Sequence, residues 1–267
     1  MINYSEFGVV LDQISSVMRK ALNQHQHQFD IDSEVYRRDL YNDWKLFERN
    51  IPDKNTKILD CGCGKGHHTA ALAGFGYKNI TGIDLSETSG EGGIYNKETL
   101  GSLWQLPLWE KLGSQFGTNY LFYDGNTTPF KNETFDVVLL YAVIEHVDLP
   151  ETFLQECSRI LKPGGKILIY RCPNRFSYTE ALAKWLGLPH HEKMYAKQEL
   201  TQLFRGQGFE RLILQRYDNF PSFFPIKRWQ QKYDSIMGKL AKFDFIFSPT
   251  FMNIISHHYR GVFKKDQ

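Results

Sequence analysis

Little in this chain points outward. Four cysteines in 267 residues, Cys61, Cys63, Cys157 and Cys172, make no C-x-x-C pair. Two of them fall in segments with strand character, so they read as small buried apolar residues in a reducing compartment, not as a disulfide frame or a zinc site. Charge of one sign is also missing: 32 Lys and Arg face 30 Asp and Glu, for a net charge of +2. Apart from a modest cluster at Lys227, Arg228, Lys232, Lys239 and Lys242 the basic residues are scattered, which argues against nucleic acid as the main partner. No apolar run approaches the roughly 18 residues of a membrane span. The start, MINYSEFGVV, lacks the basic and apolar regions of a secretory leader. The expectation is a cytoplasmic chain without a transmembrane segment. Repeats and low-complexity tracts are absent too, and the length suits one domain with elaborations.

What is there begins with KILDCGCGKGHHTAALAGFGYKNITGIDLSE, Lys57 to Glu87. Ile58 and Leu59 open a short apolar strand. Gly62, Gly64 and Gly66 follow at every second position and leave the backbone bare to a ligand. Ala70, Ala71, Leu72 and Ala73 suit a short helix from His67 to Gly74, whose N-terminal amides would favour a carboxylate or phosphate. Asn79 to Leu85 then reads as a second strand with Asp84 at its C-terminal end, where an acid meets a ribose diol in a doubly wound sheet. The distance from Gly66 to Asp84 fits the roughly 20-residue offset of such a unit. The dinucleotide fingerprint needs a glycine at position 67, where His67 stands, so a nicotinamide-dependent dehydrogenase is the weaker reading. Asp60 before the turn, with glycines at 62, 64 and 66, resembles the first motif of the class I S-adenosylmethionine-dependent methyltransferases. The resemblance implies an S-adenosylmethionine site in which Asp60, Gly62, Cys63, Gly64 and Gly66 surround the methionine part, with Asp84 and Leu85 at the ribose.

A longer segment, TPFKNETFDVVLLYAVIEHVDLPETFLQECSRILKPGGKILIYRCPN, Thr128 to Asn174, resembles the middle of a small-molecule methyltransferase of the same class. Phe135 to Ile144 is an almost unbroken apolar run, as a central parallel strand covered on both faces requires. Pro150 to Leu161 places Phe153, Leu154, Cys157, Ile160 and Leu161 at helical spacing. Pro163, Gly164 and Gly165 stop that helix, and Lys166 to Tyr170 starts another buried strand. Between the two blocks, Asn119 to Gly125 reads as a third strand ending at Asp124. In the family an acid here commonly accepts from the adenine amino group, so Asp124 and Gly125 are the adenine-edge candidates, with a plain turn as the alternative for Asp124. Tyr141 and Ala142 would flank the methionine portion, largely through backbone.

The expected fold is α/β: a Rossmann-like doubly wound, mainly parallel seven-stranded sheet flanked by helices. An N-terminal helical cap occupies 1–55, the cofactor-binding core 56–220 with an insertion at 86–118, and a C-terminal elaboration of the same domain 221–267. Phe7, Val10, Leu11, Ile14, Val17 and Met18 line one helical face of the cap, and Leu40, Trp44, Phe47 and Ile51 a later one. The insertion, with GEGG at 90–93 and SLWQLPLWEKLG from Ser102 to Gly113, reads as a loop and short helix near the cofactor mouth or, equally, as a surface elaboration. Helices over Thr179–Leu186 and Lys197–Arg205 and a strand over Phe209–Gln215 follow. An aromatic tail from Phe220 precedes a last strand, Ser256–Phe263. The plain reading of this end is a helix and edge strand completing the sheet. The sharper one is a lid over an apolar acceptor or a contact with a membrane surface.

Methyl transfer from a sulfonium is an in-line displacement with a neutral thioether as leaving group, so only the acceptor side needs an acid-base residue. His146, His190 and His191 are the candidate bases because imidazole titrates near neutral pH, and Glu145 stands beside the first. Each has a plain alternative: a strand-end hydrogen bond for His146, solvated loop positions for His190 and His191. Ubiquinone-biosynthesis O-methyltransferases and small-RNA 2'-O-methyltransferases carry a Glu-x-x-Glu-His pattern here that, with a later histidine, holds a divalent ion. Glu145 and His146 match its second half, but Ala142 occupies the first glutamate's place, and no metal is expected. Pro173 to Phe204 resembles methyltransferases of bacterial cell-surface sugar and secondary-metabolite pathways, which implies a glycosyl, lipid-linked or polyketide-like hydroxyl as acceptor. A non-catalytic scaffold that only binds the cofactor is the alternative from another class.

Overall fold

The computed structural model describes residues 2–23, 29–85, 105–125, 127–188, 190–218 and 254–267. Among the described residues seven strands make one sheet in the order β3-β2-β1-β4-β5-β7-β6. They are β1 Lys57–Cys61, β2 Asn79–Leu85, β3 Asn119–Tyr123, β4 Phe135–Tyr141, β5 Leu161–Pro173, β6 Phe209–Tyr217 and β7 His258–Lys265. Pairing is parallel from β3 through β5, while β7 runs antiparallel to both β5 and β6. The strand order reverses between β1 and β4, and it is at such a reversal that a parallel sheet opens a crevice for a ligand.

The helices are α1 Tyr4–Ala21, α2 Glu34–Asn50, α3 His67–Gly74, α4 Gln105–Phe116, α5 Pro150–Ile160, α6 Tyr178–Trp185 and α7 Lys197–Gly206. Alternate strand residues go to opposite faces. Ile58, Val137, Leu139, Leu168 and Tyr170 pack with α1 to α4. Leu59, Val138, Leu140, Ile167 and Ile169 pack with α5 and α7. Burial on both faces is why these strands are apolar at every position instead of every second one. In the cap, Phe7 stacks on Phe75 with ring centroids 4.8 Å apart, and Trp44 meets the same ring at 4.3 Å. Asn3 and Glu6 close a capping box at the start of α1, and Ser33 caps α2.

Three expectations need correction. The last strand does not take the edge: β7 inserts between β5 and β6, and β6 is the edge strand. Tyr259, Val262 and Phe263 are fully buried, which an exposed edge would not permit. β4 stops at Tyr141, not Ile144, because Ala142 adopts φ 54 and a 3-10 turn, Ile144–His146, follows. β5 begins at Leu161, not Lys166: Leu161 pairs with Phe135 and Lys166 with Val137, so the Pro163–Gly165 turn is absorbed as a register shift. GEGG at 90–93 and the aromatic tail up to residue 253 lie outside the described residues.

Candidate active site

The glycine turn between β1 and α3 is held open by its backbone. Gly62, Gly64 and Gly66 all have positive φ, at 83°, 51° and 80°, a region that costs other residues about 1–2 kcal/mol. A Cβ on Gly62 would lie 2.6 Å from Val143 Cγ2 and one on Gly66 2.7 Å from Tyr120 Cε1. At Gly64 the nearest atom would be Asp84 Oδ2 at 3.9 Å, an ordinary contact, so there the backbone conformation and not crowding calls for glycine. The amides of Gly62 and Cys63 donate to Ile83 O at 2.8 and 2.9 Å. From behind, Gln105 Nε2 and Trp109 Nε1 donate to Gly64 O at 3.0 and 2.9 Å, and the Tyr120 hydroxyl to Gly66 O at 2.9 Å. The helix at the end of the insertion, α4, together with β3, thus fixes the turn from outside.

Two acids flank the turn. Asp60 is fully buried; its Oδ2 accepts from Thr69 Oγ1 at 2.6 Å while Oδ1 has no partner. Burial pushes its carboxyl up to about 7. Asp84, at the end of β2, accepts from the Gly64 amide and, at 2.7 Å, from the Leu85 amide; burial raises its carboxyl as well. Asp124 follows β3 directly, is exposed, and accepts from the Thr127 amide at 3.1 Å. Gly125 has φ 83 and sits against Leu85. These residues fit an adenosyl ligand: a side-chain-free turn, an unpaired buried carboxyl oxygen behind it, and a carboxylate on the neighbouring strand end.

A cleft of about 530 Å³ opens over the turn. Gly62 to Lys65 and His67 form one wall, Tyr141 and Ala142 at the end of β4 another, and Asp30, Ser33 and Tyr36 from the cap its cover. The Tyr36 hydroxyl bridges His67 Nε2 at 3.1 Å and His68 Nε2 at 2.8 Å. Burial keeps both imidazoles well below their usual range, His67 at about 4. The Tyr141 hydroxyl donates to Asp43 Oδ2 at 3.3 Å, while the Ala142 amide donates to Tyr170 O at 2.9 Å. Arg171, at φ 54 near the end of β5, completes the lining.

On the far side of β4, Glu145, His146 and His191 come together with ligand-capable atoms within 4.8 Å of one another. Lys193 Nζ donates to Val147 O at 2.6 Å and the Tyr195 hydroxyl to Ile144 O at 3.2 Å, which ties the His191 loop to this strand end. His191 is gripped by Glu180, on α6, through its amide and its ring Nδ1, both at 2.8 Å. A carboxylate can only accept, so Nδ1 carries the proton and Nε2 of a neutral ring the lone pair. The same Glu180 Oε1 meets His257 Nε2 at 2.7 Å, and Asp218 Oδ2 meets His258 Nδ1 at 2.9 Å and His257 Nδ1 at 3.6 Å. Against the penalty of burial, these histidines hold both carboxyls well below their usual range. Glu145 is different: buried, with no hydrogen-bond partner on either oxygen, it rises to about 7. Burial lowers His146 to about 4. Glu180, His191 and His257, and Asp218, His257 and His258, are two further groups whose chemistry suits a divalent ion.

Of the candidate bases, His146 and His191 lie together, with ring centroids 5.9 Å apart. His190 is exposed and its Nδ1 turns to Leu188 O at 3.0 Å, outside the cluster. Sequence reasoning missed Tyr36, Arg171, Glu180, Asp218 and His257. Only Arg171 had a local signal, a cation closing the apolar run ILIY; the others are brought in by long-range contacts.

Residues 59–169 match the family model described as a methyltransferase domain. A ubiquinone biosynthesis O-methyltransferase of Coxiella burnetii is 29% identical over 177 residues, 63% of this chain and 69% of that protein. O-methyltransferase resE of Aspergillus sclerotiorum is 31% identical over 162 residues, 58% of this chain and 55% of that one. A solved SAM-dependent methyltransferase from Archaeoglobus fulgidus shares the fold with a TM-score of 0.53 at 18% identity, over 85% of this chain and 94% of its own. Residues 59–169 are a methyltransferase domain, and the chain is an S-adenosylmethionine-dependent methyltransferase.

Proposed function

We propose that this enzyme methylates a hydroxyl of a small-molecule acceptor of glycosyl, lipid-linked or secondary-metabolite type. The observation that carries the reading is that Gly64, whose amide Asp84 reaches, lines the same cleft as Tyr141 and Ala142. The O-methyltransferase names of the relatives support oxygen as the acceptor atom. When bound, the cofactor supplies an electrophilic methyl on a sulfonium that leaves as a neutral thioether. Gly62, Cys63, Gly64 and Gly66 with Asp60 hold its methionine end beside Tyr141 and Ala142. Asp84 and Leu85 take the ribose, and Asp124 and Gly125 the adenine edge.

The chain's remaining task is to orient the acceptor and take its proton. His191 Nε2, fixed as the lone-pair nitrogen by Glu180, or the neutral His146 beside it, serves as the base. Ala142 at the first position of the Glu-x-x-Glu-His pattern, and Glu180 already engaged by two histidines, favour proton removal without a metal. The nearly balanced charge of the sequence supports a small molecule over nucleic acid. No helix among the described residues is long and apolar enough to cross a membrane. The test is turnover at saturating donor over a panel of hydroxylated acceptors, with His146→Ala and His191→Ala, with and without EDTA. Loss of rate in either variant and indifference to EDTA are expected; unaffected rates in both variants would remove histidine bases from the account.

A further inference from the structure

Arg171 is a cation of the cleft whose part the methyl-transfer reading leaves open. It ends the apolar run of β5 with a left-handed backbone, φ 54, held by its own amide donating to the Tyr217 hydroxyl at 3.0 Å. Its side chain is 13% exposed, lines the cleft, and lies over the Tyr36 ring with the guanidinium carbon 5.2 Å from the centroid. Its Nη1 is buried without a hydrogen-bond partner. Its counter-charge is incomplete: Asp218 Oδ2 is 3.9 Å from Nη2, and that carboxylate already accepts from His258 at 2.9 Å and faces His257 at 3.6 Å. Two other acids lie within reach of its charge: Asp43 is taken by Arg260, Tyr141 and Tyr217, and Glu145 makes no hydrogen bond to it. A desolvated guanidinium with an open fork is costly unless an anion completes it.

Position decides which anion. The sheet order puts β4 between β1 and β5, and neighbouring strands are about 4.8 Å apart. Arg171 therefore stands across Tyr141 and Ala142 from the glycine turn, on the side away from the cofactor's anchoring residues. The turn has its own cation, Lys65, whose Nζ is 3.4 Å from Asp30. We propose that Arg171 is the anion receptor of the acceptor side, so that the molecule methylated carries a carboxylate or phosphate group close to its reacting hydroxyl. This rests on the methyl-transfer reading above and narrows its substrate class: the guanidinium grips the oxyanion through its fork while Tyr36 backs its face.

The experiment is calorimetric titration of the protein, loaded with S-adenosylhomocysteine, with benzoate and phenyl phosphate as anionic probes and benzamide as their neutral twin. At least one anion binding tenfold or more tightly than benzamide is expected. Arg171→Met should abolish that preference while leaving S-adenosylhomocysteine affinity within about twofold, and Arg171→Lys should reduce it at least threefold. Equal binding of all three probes to the unaltered protein overturns the proposal, as does a preference that survives in Arg171→Met. A tenfold loss of S-adenosylhomocysteine affinity in Arg171→Met also overturns it, since the guanidinium then serves the cofactor. If Arg171→Met does not fold, the unaltered protein and Arg171→Lys decide. Failure of the protein to bind S-adenosylhomocysteine would instead count against the methyl-transfer reading, and the probe preference can still be read on unloaded protein.

Discussion

Glu180 clamps His191 with both oxygens: Oε2 accepts from the backbone amide and Oε1 from ring Nδ1, each at 2.8 Å. One carboxylate thereby sets the position of the loop and the tautomer of the ring. Glu180→Gln keeps the shape but presents an amide N–H to one of those two donors. General bases contribute roughly a hundredfold to ten-thousandfold. The substitution should lower turnover by about tenfold to a hundredfold, with cofactor affinity unchanged, and His191→Ala should do at least as much. Steady-state kinetics at saturating cofactor, paired with a cofactor titration, checks both halves.

Three buried carboxyls give the fold a pH dependence opposite to that of common surface acids. Burial raises Asp60 and Glu145 to about 7 and Asp43 to about 6. A carboxyl whose folded pKa is raised contributes stability that is complete below its unfolded value and is lost as pH climbs through the folded one. Glu180 and Asp218 are depressed, so their contribution is present above their unfolded values near 4 and disappears as pH falls below them. The buried imidazoles of His67, His68 and His146 act the other way: burial depresses them, so their contribution is present above the unfolded value near 6.5 and is lost as pH falls through the folded one. For Asp60, a shift from 3.8 to about 7 corresponds to at most about 4 kcal/mol at pH 8. Urea denaturation at several pH values should show the unaltered protein losing stability relative to Asp60→Asn as pH rises from about 5 to about 8, the window in which Asp60 ionises in the unfolded chain before the folded one.

Gly66 and Gly76 separate backbone strain from crowding. Both have positive φ, 80° and 94°, but a Cβ at Gly76 meets nothing within 4 Å, whereas one at Gly66 falls 2.7 Å from Tyr120. Gly76→Ala should cost about 1–2 kcal/mol from φ alone. Gly66→Ala should cost about 1–3 kcal/mol more and also weaken cofactor binding, because Tyr120 must release the turn. Chemical denaturation and a binding titration on the two variants distinguish these outcomes.

Much of this architecture was readable in advance because it depends on local rules. The helix His67–Gly74 and the strand Asn79–Leu85 fall where the small-residue run and the alternation put them. The runs around Val137 and Ile167 announce burial on both faces before any partner is known. The place of β7 was not readable: nothing local tells an edge strand from one inserted between two others, and only the pairing of Phe263 with both Ile167 and Arg211 reveals it. The glycine turn and Asp84 were legible as one supersecondary unit. The chain from His191 through Glu180 and His257 to Asp218 draws on four separate segments, so no spacing rule could assemble it.

The central claim is that Gly62 to Gly66 and Asp84 form a site for S-adenosylmethionine. Isothermal titration of S-adenosylhomocysteine tests it most directly, run on the unaltered protein and on Asp84→Ala, with NAD as control. Saturable one-to-one binding, weakened by about tenfold or more in Asp84→Ala and absent for NAD, is the predicted result. No binding of S-adenosylhomocysteine, or equal affinity in the two proteins, would contradict it.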